Sequence, residues 1–350
     1  MRILLTGHLG YLGTRLAPLL RAAGHEVVGF DSGLFRDCSV APVEAVPAIE
    51  KDIRDAEPQD VRGFDAVIHL AALSNEELGQ IHPALTFEIN FEAAVRLAEL
   101  AKQAGVGRFL FASSTSVYGA GSMPRGERDR PAPQGPYAVS KALAEEELAK
   151  LASDSFSPVF LRAAHPYGVS PMMRFEPALN RIVAEAAIDS RIWIDGDPRR
   201  RIDLVHVEDL ARAFLAALEA PRSAVHGQAV NVGAASERFA IEELADIVSE
   251  IVAGASIEFQ PEAHMPEDEG PAKFGKIARK LADFRPRWTA RRGAVEIFEL
   301  ASRLALRRSD IAGARFGRMQ HLRMSVRMGR LDDELRRVRP ARLSALSGAG

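Results

Sequence analysis

Residues 2–13 read RILLTGHLGYLG, and this stretch decides the fold. Ile3–Leu5 is a short unbroken apolar run, long enough for one buried strand and far too short for the hydrophobic core of a signal peptide. Directly behind it, Gly7, Gly10 and Gly13 lead into a helical pattern, LGTRLAPLLRAAG, that stops at Gly24. Glycines that join a strand to a helix permit a tight turn and close backbone approach. The free N–H groups at the positive end of the helix can then cradle a pyrophosphate. Gly7, Leu9, Gly10, Tyr11, Leu12 and Gly13 are the residues expected to line that cradle.

The same rhythm repeats downstream. Apolar runs at Glu26–Phe30, Ala66–Leu70, Arg108–Ala112 and Val159–Arg162 read as strands, separated by helical patterns such as NFEAAVRLAELAKQAG, which stops at Gly105. Strand-helix alternation predicts an α/β fold over residues 1–165: a Rossmann-type, doubly wound parallel sheet with helices on both faces. Prolines at 166, 171 and 177 then break the rhythm. Two later strand-like runs, Leu204–Val207 and Ala229–Val232, are expected to rejoin the sheet. Helical segments at 208–219, 240–253 and 294–306 predict a smaller, interleaved substrate lobe, mostly within 166–300. Residues 301–350 read as a basic helical extension, packed on the substrate lobe or on a second subunit, with a disordered end at LSALSGAG.

Composition excludes several classes. With 350 residues, 47% hydrophobic and 26% charged, the chain is ordinary for a folded protein, and a formal net charge of -2 gives no reason to expect nucleic acid or a membrane surface as partner. The arginine-rich extension lacks the interleaved aromatics of a nucleic-acid binder, having only Phe316. Cys38 is the only cysteine, so no intrachain disulfide and no cysteine-based zinc cluster is possible, and no metal is expected. No apolar run reaches the ~20 residues that span a bilayer, which makes the cytoplasm the expected location.

Asp31 closes the second strand 24 residues after Gly7. A carboxylate there accepts hydrogen bonds from an adenosine ribose diol and repels a 2'-phosphate, so NAD is predicted over NADP. A plain turn aspartate before Ser32-Gly33 is the other reading, and Arg36 lies near. Asp52 and Ile53 follow the next expected strand, where they could meet the adenine edge; Asp52 reads equally as a loop acid. In PYAVSK (136–141), Tyr137 and Lys141 are four positions apart and share a helix face, where an ammonium favours the ionised form of a tyrosine hydroxyl.

Taken in order with TGHLGYLG, the stretches HLAALS (69–74), Asn90, ASSTSVYG (112–119) and PYAVSK resemble the extended short-chain dehydrogenase/reductase superfamily. Within it they are most similar to the NAD-dependent epimerase/dehydratase family acting on nucleotide sugars, over about residues 1 to 290. The resemblance implies that Tyr137 is the general acid/base, that Lys141 holds the nicotinamide ribose and lowers the tyrosine pKa, and that Ser114 hydrogen-bonds the reacting oxygen. It further implies cofactor contacts at Leu70, Ala71 and Ala72, a cap or scaffold role at Asn90 beside the cofactor, and substrate contacts at Ser74 and Thr115. His69 reads as a packing or backbone hydrogen-bonding residue, and Tyr118 as structural or as lining the substrate pocket.

Family members that eliminate water carry Asp-Glu after the catalytic serine or threonine, and decarboxylating members carry a Glu two residues after it. This chain has Thr115 and Ser116 there. The resemblance therefore implies a 4-epimerase of UDP-hexoses or UDP-glucuronic acid, with hydride removed from C4 and returned to the opposite face of a 4-keto sugar. An NAD(P)H-dependent reductase of an NDP-keto sugar or other carbonyl compound is the alternative. A non-catalytic cofactor sensor comes third, since it has no need of Ser114, Tyr137 and Lys141 together. His165 stands where the family often has an asparagine on the nucleotide diphosphate, and Ile202 replaces a family arginine, so two readings stand for Arg199, Arg200 and Arg201: one of them supplies the phosphate charge, or the run, Arg199 and Arg200 above all, is a solvated face. A homodimer through two helices of the cofactor domain is also implied.

Overall fold

The structure is a computed structural model that describes residues 1–260, 270–281 and 284–338. Its strands, in chain order, are β1 (Arg2–Thr6), β2 (Glu26–Asp31), β3 (Ala48–Glu50), β4 (Ala66–His69), β5 (Arg108–Ser114), β6 (Ser157–Ala163), β7 (His165–Tyr167), β8 (Arg191–Asp195), β9 (Arg201–His206), β10 (Gln228–Val232), β11 (Arg238–Ala240) and β12 (Ser256–Gln260). Seven of them form one parallel sheet in the order β10-β6-β5-β4-β1-β2-β3. The chain winds outward from β1 to β3 on one side and from β4 to β6 on the other. The winding therefore reverses between β1 and β4, the place where doubly wound sheets open a ligand crevice at the carboxyl ends of their strands.

Side-chain alternation explains why the strands read as unbroken apolar runs. Ile3, Leu5, Ile68 and Leu110 face the layer formed by helices Gly13–Ala22 and Val207–Glu219. Their neighbours Leu4, Val67, Phe109 and Phe111 face the other layer, built by helices Ala93–Gln103 and Gly135–Lys150. Both faces are covered, so neither parity can be polar.

The two late strands part company. β10 joins the main sheet beside β6, in the register Gln228↔Val159. β9 does not: it is the middle strand of a separate three-stranded sheet, antiparallel to β11 and parallel to β7. β10 takes the place beside β6, while β9 carries Asp203, whose carboxylate accepts the Ala272 N–H at 2.8 Å and pairs with Arg238 at 3.2 Å. The smaller lobe packs Ile182, Ile192, Ile202, Leu244 and Ile297 from helices Ala178–Asp189, Ile241–Ile251 and Ala290–Arg303 and from strands β8 and β9.

Beyond residue 303 the chain crosses both lobes. Phe316 packs with Phe175 in the smaller lobe, with ring centroids 5.7 Å apart. Leu322, Leu331 and Leu335 then sink into the cofactor-side core, in the apolar cluster that holds Ile53 and Leu78. The expectation for this segment looked only to the substrate lobe or a second subunit. The LSALSGAG end lies outside the described residues. Among the described residues, no helix is long and apolar enough to cross a membrane.

Candidate functional site

Gly7 leaves β1 with φ +70°, and a Cβ on it would lie 2.7 Å from the Ala71 nitrogen. A Cβ on Gly13 would lie 2.2 Å from the Gly7 carbonyl oxygen. The turn is closed so tightly that only glycine fits at these two positions. Thr6 ties the cradle to the next strand of the crevice: its hydroxyl accepts the Leu70 and Ala71 N–H groups at 3.2 and 3.3 Å and shares a 2.7 Å hydrogen bond with His69 Nδ1. His69 is a packing residue, stacked on Phe111 with centroids 5.9 Å apart, and burial, with Lys141 adding to it, pushes its pKa down to about 3.

One cavity runs from the end of β2 to the end of β5. Its wall includes Gly7, Leu9, Gly10, Tyr11, Leu12, Gly13, Asp31, Asp52, Ile53, Leu70, Ala71, Ala72, Ser74, Ser114, Tyr137 and Lys141. At one end Asp31 accepts the Leu9 N–H at 3.1 Å and the Gly33 N–H at 2.7 Å, which fastens the glycine loop to β2. Asp52 caps the short turn Ile53–Asp55 and pairs with Arg54 at 2.8 Å. Among the described residues, these two are the carboxylates on the wall.

At the other end, Pro136 sits in the first turn of helix Gly135–Lys150, where it costs no hydrogen bond, and the helix presents Tyr137 and Lys141 on one face. Lys141 is buried; its ammonium donates to the Ala112 carbonyl at 2.8 Å and lies 4.7 Å from the Phe111 ring centre and 5.9 Å from that of Tyr137. Burial lowers its pKa to about 7, against the opposing pull of Glu145 one turn on. Glu145 is held by Arg162 Nε at 3.0 Å and by the Ser113 hydroxyl, while Arg162 Nη1 donates to Tyr118 Oη at 2.9 Å and Tyr118 donates to Asn231 at 2.7 Å. Tyr118 is thereby part of a buried polar network behind the cavity. Ser114 ends β5, where its oxygen accepts the Ser116 N–H at 3.1 Å and its hydroxyl donates to the Ser116 hydroxyl at 3.0 Å.

Five other expected site residues stand elsewhere, and one more is held from behind. Asn90 is fully buried inside a wide turn, Glu88–Glu92, of a continuing helix, so it is no N-cap. Its amide clamps Leu73, accepting the N–H at 2.8 Å and donating to the carbonyl at 3.0 Å, which supports the cavity wall without lining it. The Thr115 hydroxyl donates to Ala163 O at 3.2 Å, and Thr115 itself does not line the cavity. His165 lies in β7 with Nδ1 3.3 Å from Asp203 O, and its neighbour Pro166 lines the cavity instead. Arg199 is 80% exposed and pairs with Asp197; Arg201 pairs with Glu243 at 3.0 Å; Arg200 lies between them. None of the three arginines reaches the cavity wall.

Sequence reasoning missed other wall residues: Leu34, Phe35, Lys51, Arg174, Leu210, Phe214 and Arg318. Arg174 donates to the Ser74 hydroxyl at 3.1 Å, which is how Ser74 is fixed at the wall. No periodicity marks Arg174, which follows a proline-broken loop, and nothing local separates Arg318 from the arginines around it.

The residues present fit NAD. The cradle is too closed for any side chain at Gly7 or Gly13, an acid at the end of β2 stands at one end of the cavity, and a buried ammonium stands beside a tyrosine at the other. The family model of the NAD dependent epimerase/dehydratase family matches residues 3–233. A UDP-glucose 4-epimerase of Mycolicibacterium smegmatis is 32% identical over 304 residues, covering 81% of this chain and 90% of that protein. A UDP-glucose 4-epimerase of Bacillus subtilis is 27% identical over 331 residues, covering 85% and 94%. Among solved structures, MoeE5 in complex with UDP-glucuronic acid and NAD superposes with a TM-score of 0.75 at 25% identity, covering 87% of this chain and all of that one.

Proposed function

Because this chain belongs to the NAD-dependent epimerase/dehydratase family and is an NAD-dependent enzyme of the extended short-chain dehydrogenase/reductase type, we propose that it is a nucleotide-sugar 4-epimerase acting on a UDP-hexose or on UDP-glucuronic acid. The observation that carries the reading is where the carboxylates are. Among the described residues, the carboxylates lining the cavity are Asp31 and Asp52, both at the adenosine end; Glu145 faces Lys141 from behind the wall, held by Arg162 and Ser113, and Glu76 sits against Gly135 without lining it. Elimination and decarboxylation need a further acid or base next to the sugar; inversion at one carbon does not.

The division of labour follows from the side chains. The glycine cradle and Asp31 would hold NAD, which would supply a reversible hydride acceptor. Tyr137 takes the proton of the sugar hydroxyl and gives it back after the ring has turned. Lys141, fixed on the Ala112 carbonyl, sets positive charge beside that tyrosine and favours its ionised form. Ser114 steadies the reacting oxygen with a hydroxyl already oriented by Ser116. Deep burial of Lys141 strengthens its influence, because the surroundings screen it poorly.

The test is to incubate the purified protein with UDP-glucose, UDP-galactose and UDP-glucuronic acid without added cofactor and to analyse products by NMR. The expected product is the C4 epimer, with no net change in reduced cofactor. Stoichiometric loss of NADH with a keto sugar, or a dehydrated or decarboxylated product, would sink the proposal. Tyr137→Phe should retain bound NAD and lose about 10²- to 10⁴-fold in turnover, as expected for a lost acid/base group; unchanged turnover would remove Tyr137 from the mechanism.

A further inference from the structure

Two arginines that the mechanism does not use line the same cavity. Arg174 comes from the loop after β7, and Arg318 opens helix Arg318–Arg327, outside the residues matched by the family model. They are 8% and 3% exposed. Arg318 donates from Nη2 to Met172 O at 3.3 Å, and its guanidinium lies 4.4 Å from the Phe35 ring centre. Arg174 Nε and Arg318 Nη1 are both buried without a hydrogen-bond acceptor.

Glu176 is the carboxylate they share. It lies 3.5 Å from Arg174 Nε, and its other oxygen accepts the Arg318 backbone N–H at 3.1 Å. Burial lowers the Arg318 pKa to about 10, with the Arg174 charge adding to the fall. Glu77 also faces Arg174 and Glu176, and the buried Cys38 faces Arg318, but of these groups only the two guanidiniums line the cavity. Forked donors without acceptors match the oxygens of a phosphate.

The surroundings say which phosphate. The segment carrying Arg318 is fastened to the loop after β2: His321 Nε2 lies 3.1 Å from Leu34 O, and Arg337 donates to Gly33 O at 2.6 Å. It is fastened again beside Asp52, where Arg54 donates to Glu334 O at 2.9 Å and Arg336 pairs with Asp55 at 2.7 Å. Both attachments border the adenosine end of the cavity, next to the glycine cradle. We propose that Arg318, with Arg174, binds the diphosphate of the dinucleotide from the side away from the glycine loop, so that the C-terminal segment is a strap that retains the cofactor. This does not depend on whether the sugar is inverted or reduced.

The test is calorimetric titration of cofactor-stripped, full-length protein with NAD, adenosine and UDP, for the parent and for Arg318→Met, Arg174→Met and Arg318→Lys. Loss of a charge-assisted hydrogen bond predicts NAD affinity about 10- to 100-fold weaker in both methionine variants, less in Arg318→Lys, with adenosine and UDP within roughly twofold of the parent. Unchanged NAD affinity in both methionine variants overturns the proposal. So does weakening for UDP in place of NAD, which assigns the arginines to the nucleotide sugar, and so does equal weakening for adenosine, which assigns the loss to a disturbed fold.

Discussion

Lys141 shows how much one side chain is asked to do. Its amine is buried, bonded to a backbone carbonyl, and carries a pKa lowered from 10.5 to about 7 by loss of water. A group that gives up its proton on folding binds more protons in the unfolded chain between those two values, so the stability of the fold rises with pH across that window. Below about pH 7 the native state bears the full cost of a buried charge. In cofactor-free protein, Lys141→Met is therefore expected to melt above the parent at pH 6, with the gap closing towards pH 9. A gap that ignores pH would refute a strongly depressed Lys141. The Tyr137–Lys141 pair was legible in the sequence because one helix turn brings it together. Arg174 and Arg318 were not legible, because a buried guanidinium reads in sequence like any surface arginine until its neighbours are known. Of the two readings open for the arginine run, phosphate contact and solvated face, Arg199 takes the second, 80% exposed and paired with Asp197, while Arg201 is tied to Glu243.

At the scale of elements, the glycine loop is the most legible part and the least tolerant. Strand, turn and helix are local, and each announces itself by composition within a dozen residues. Gly13→Ala would set a methyl 2.2 Å from one backbone atom and 2.7 Å from others, none of which can rotate away. It is expected to lower stability by about 1–3 kcal/mol in urea unfolding and to weaken NAD binding with it; wild-type values for both would contradict the closeness of the turn. β9 was misjudged for the opposite reason. An apolar run specifies a strand but not its neighbours, and the edge of the main sheet was filled by β10, a choice made by contacts far apart in sequence. Of the two readings of Asn90, cap and scaffold, only the cap fails, since a wide turn inside a continuous helix leaves no periodic mark, while its clamp on Leu73 is a scaffold.

Across the whole molecule, the two lobes are joined at the cradle itself. Tyr11 Oη donates to Gly168 O at 2.5 Å, and the Thr14 and Ser170 hydroxyls are 2.8 Å apart. Leu12 packs against the cores of both lobes, and Glu296 accepts the Val169 N–H at 2.9 Å while lying 3.0 Å from His206. Such stapling predicts one cooperative thermal transition, raised as a unit by NAD; binding at a hundredfold excess over Kd contributes about 2.7 kcal/mol. Calorimetry showing two separate transitions, one of them indifferent to NAD, would contradict it.

The strap has a further consequence, in time. Arg337 and Gly33 meet across 304 positions of chain, and Glu334 and Arg54 across 280. Closing so long a loop costs little more free energy than closing a shorter one, because the penalty grows only with the logarithm of length. Contacts of such separation nevertheless form late. During refolding, helicity therefore returns before the cavity has its last wall, and the capacity to keep the dinucleotide lags behind the capacity to bind it.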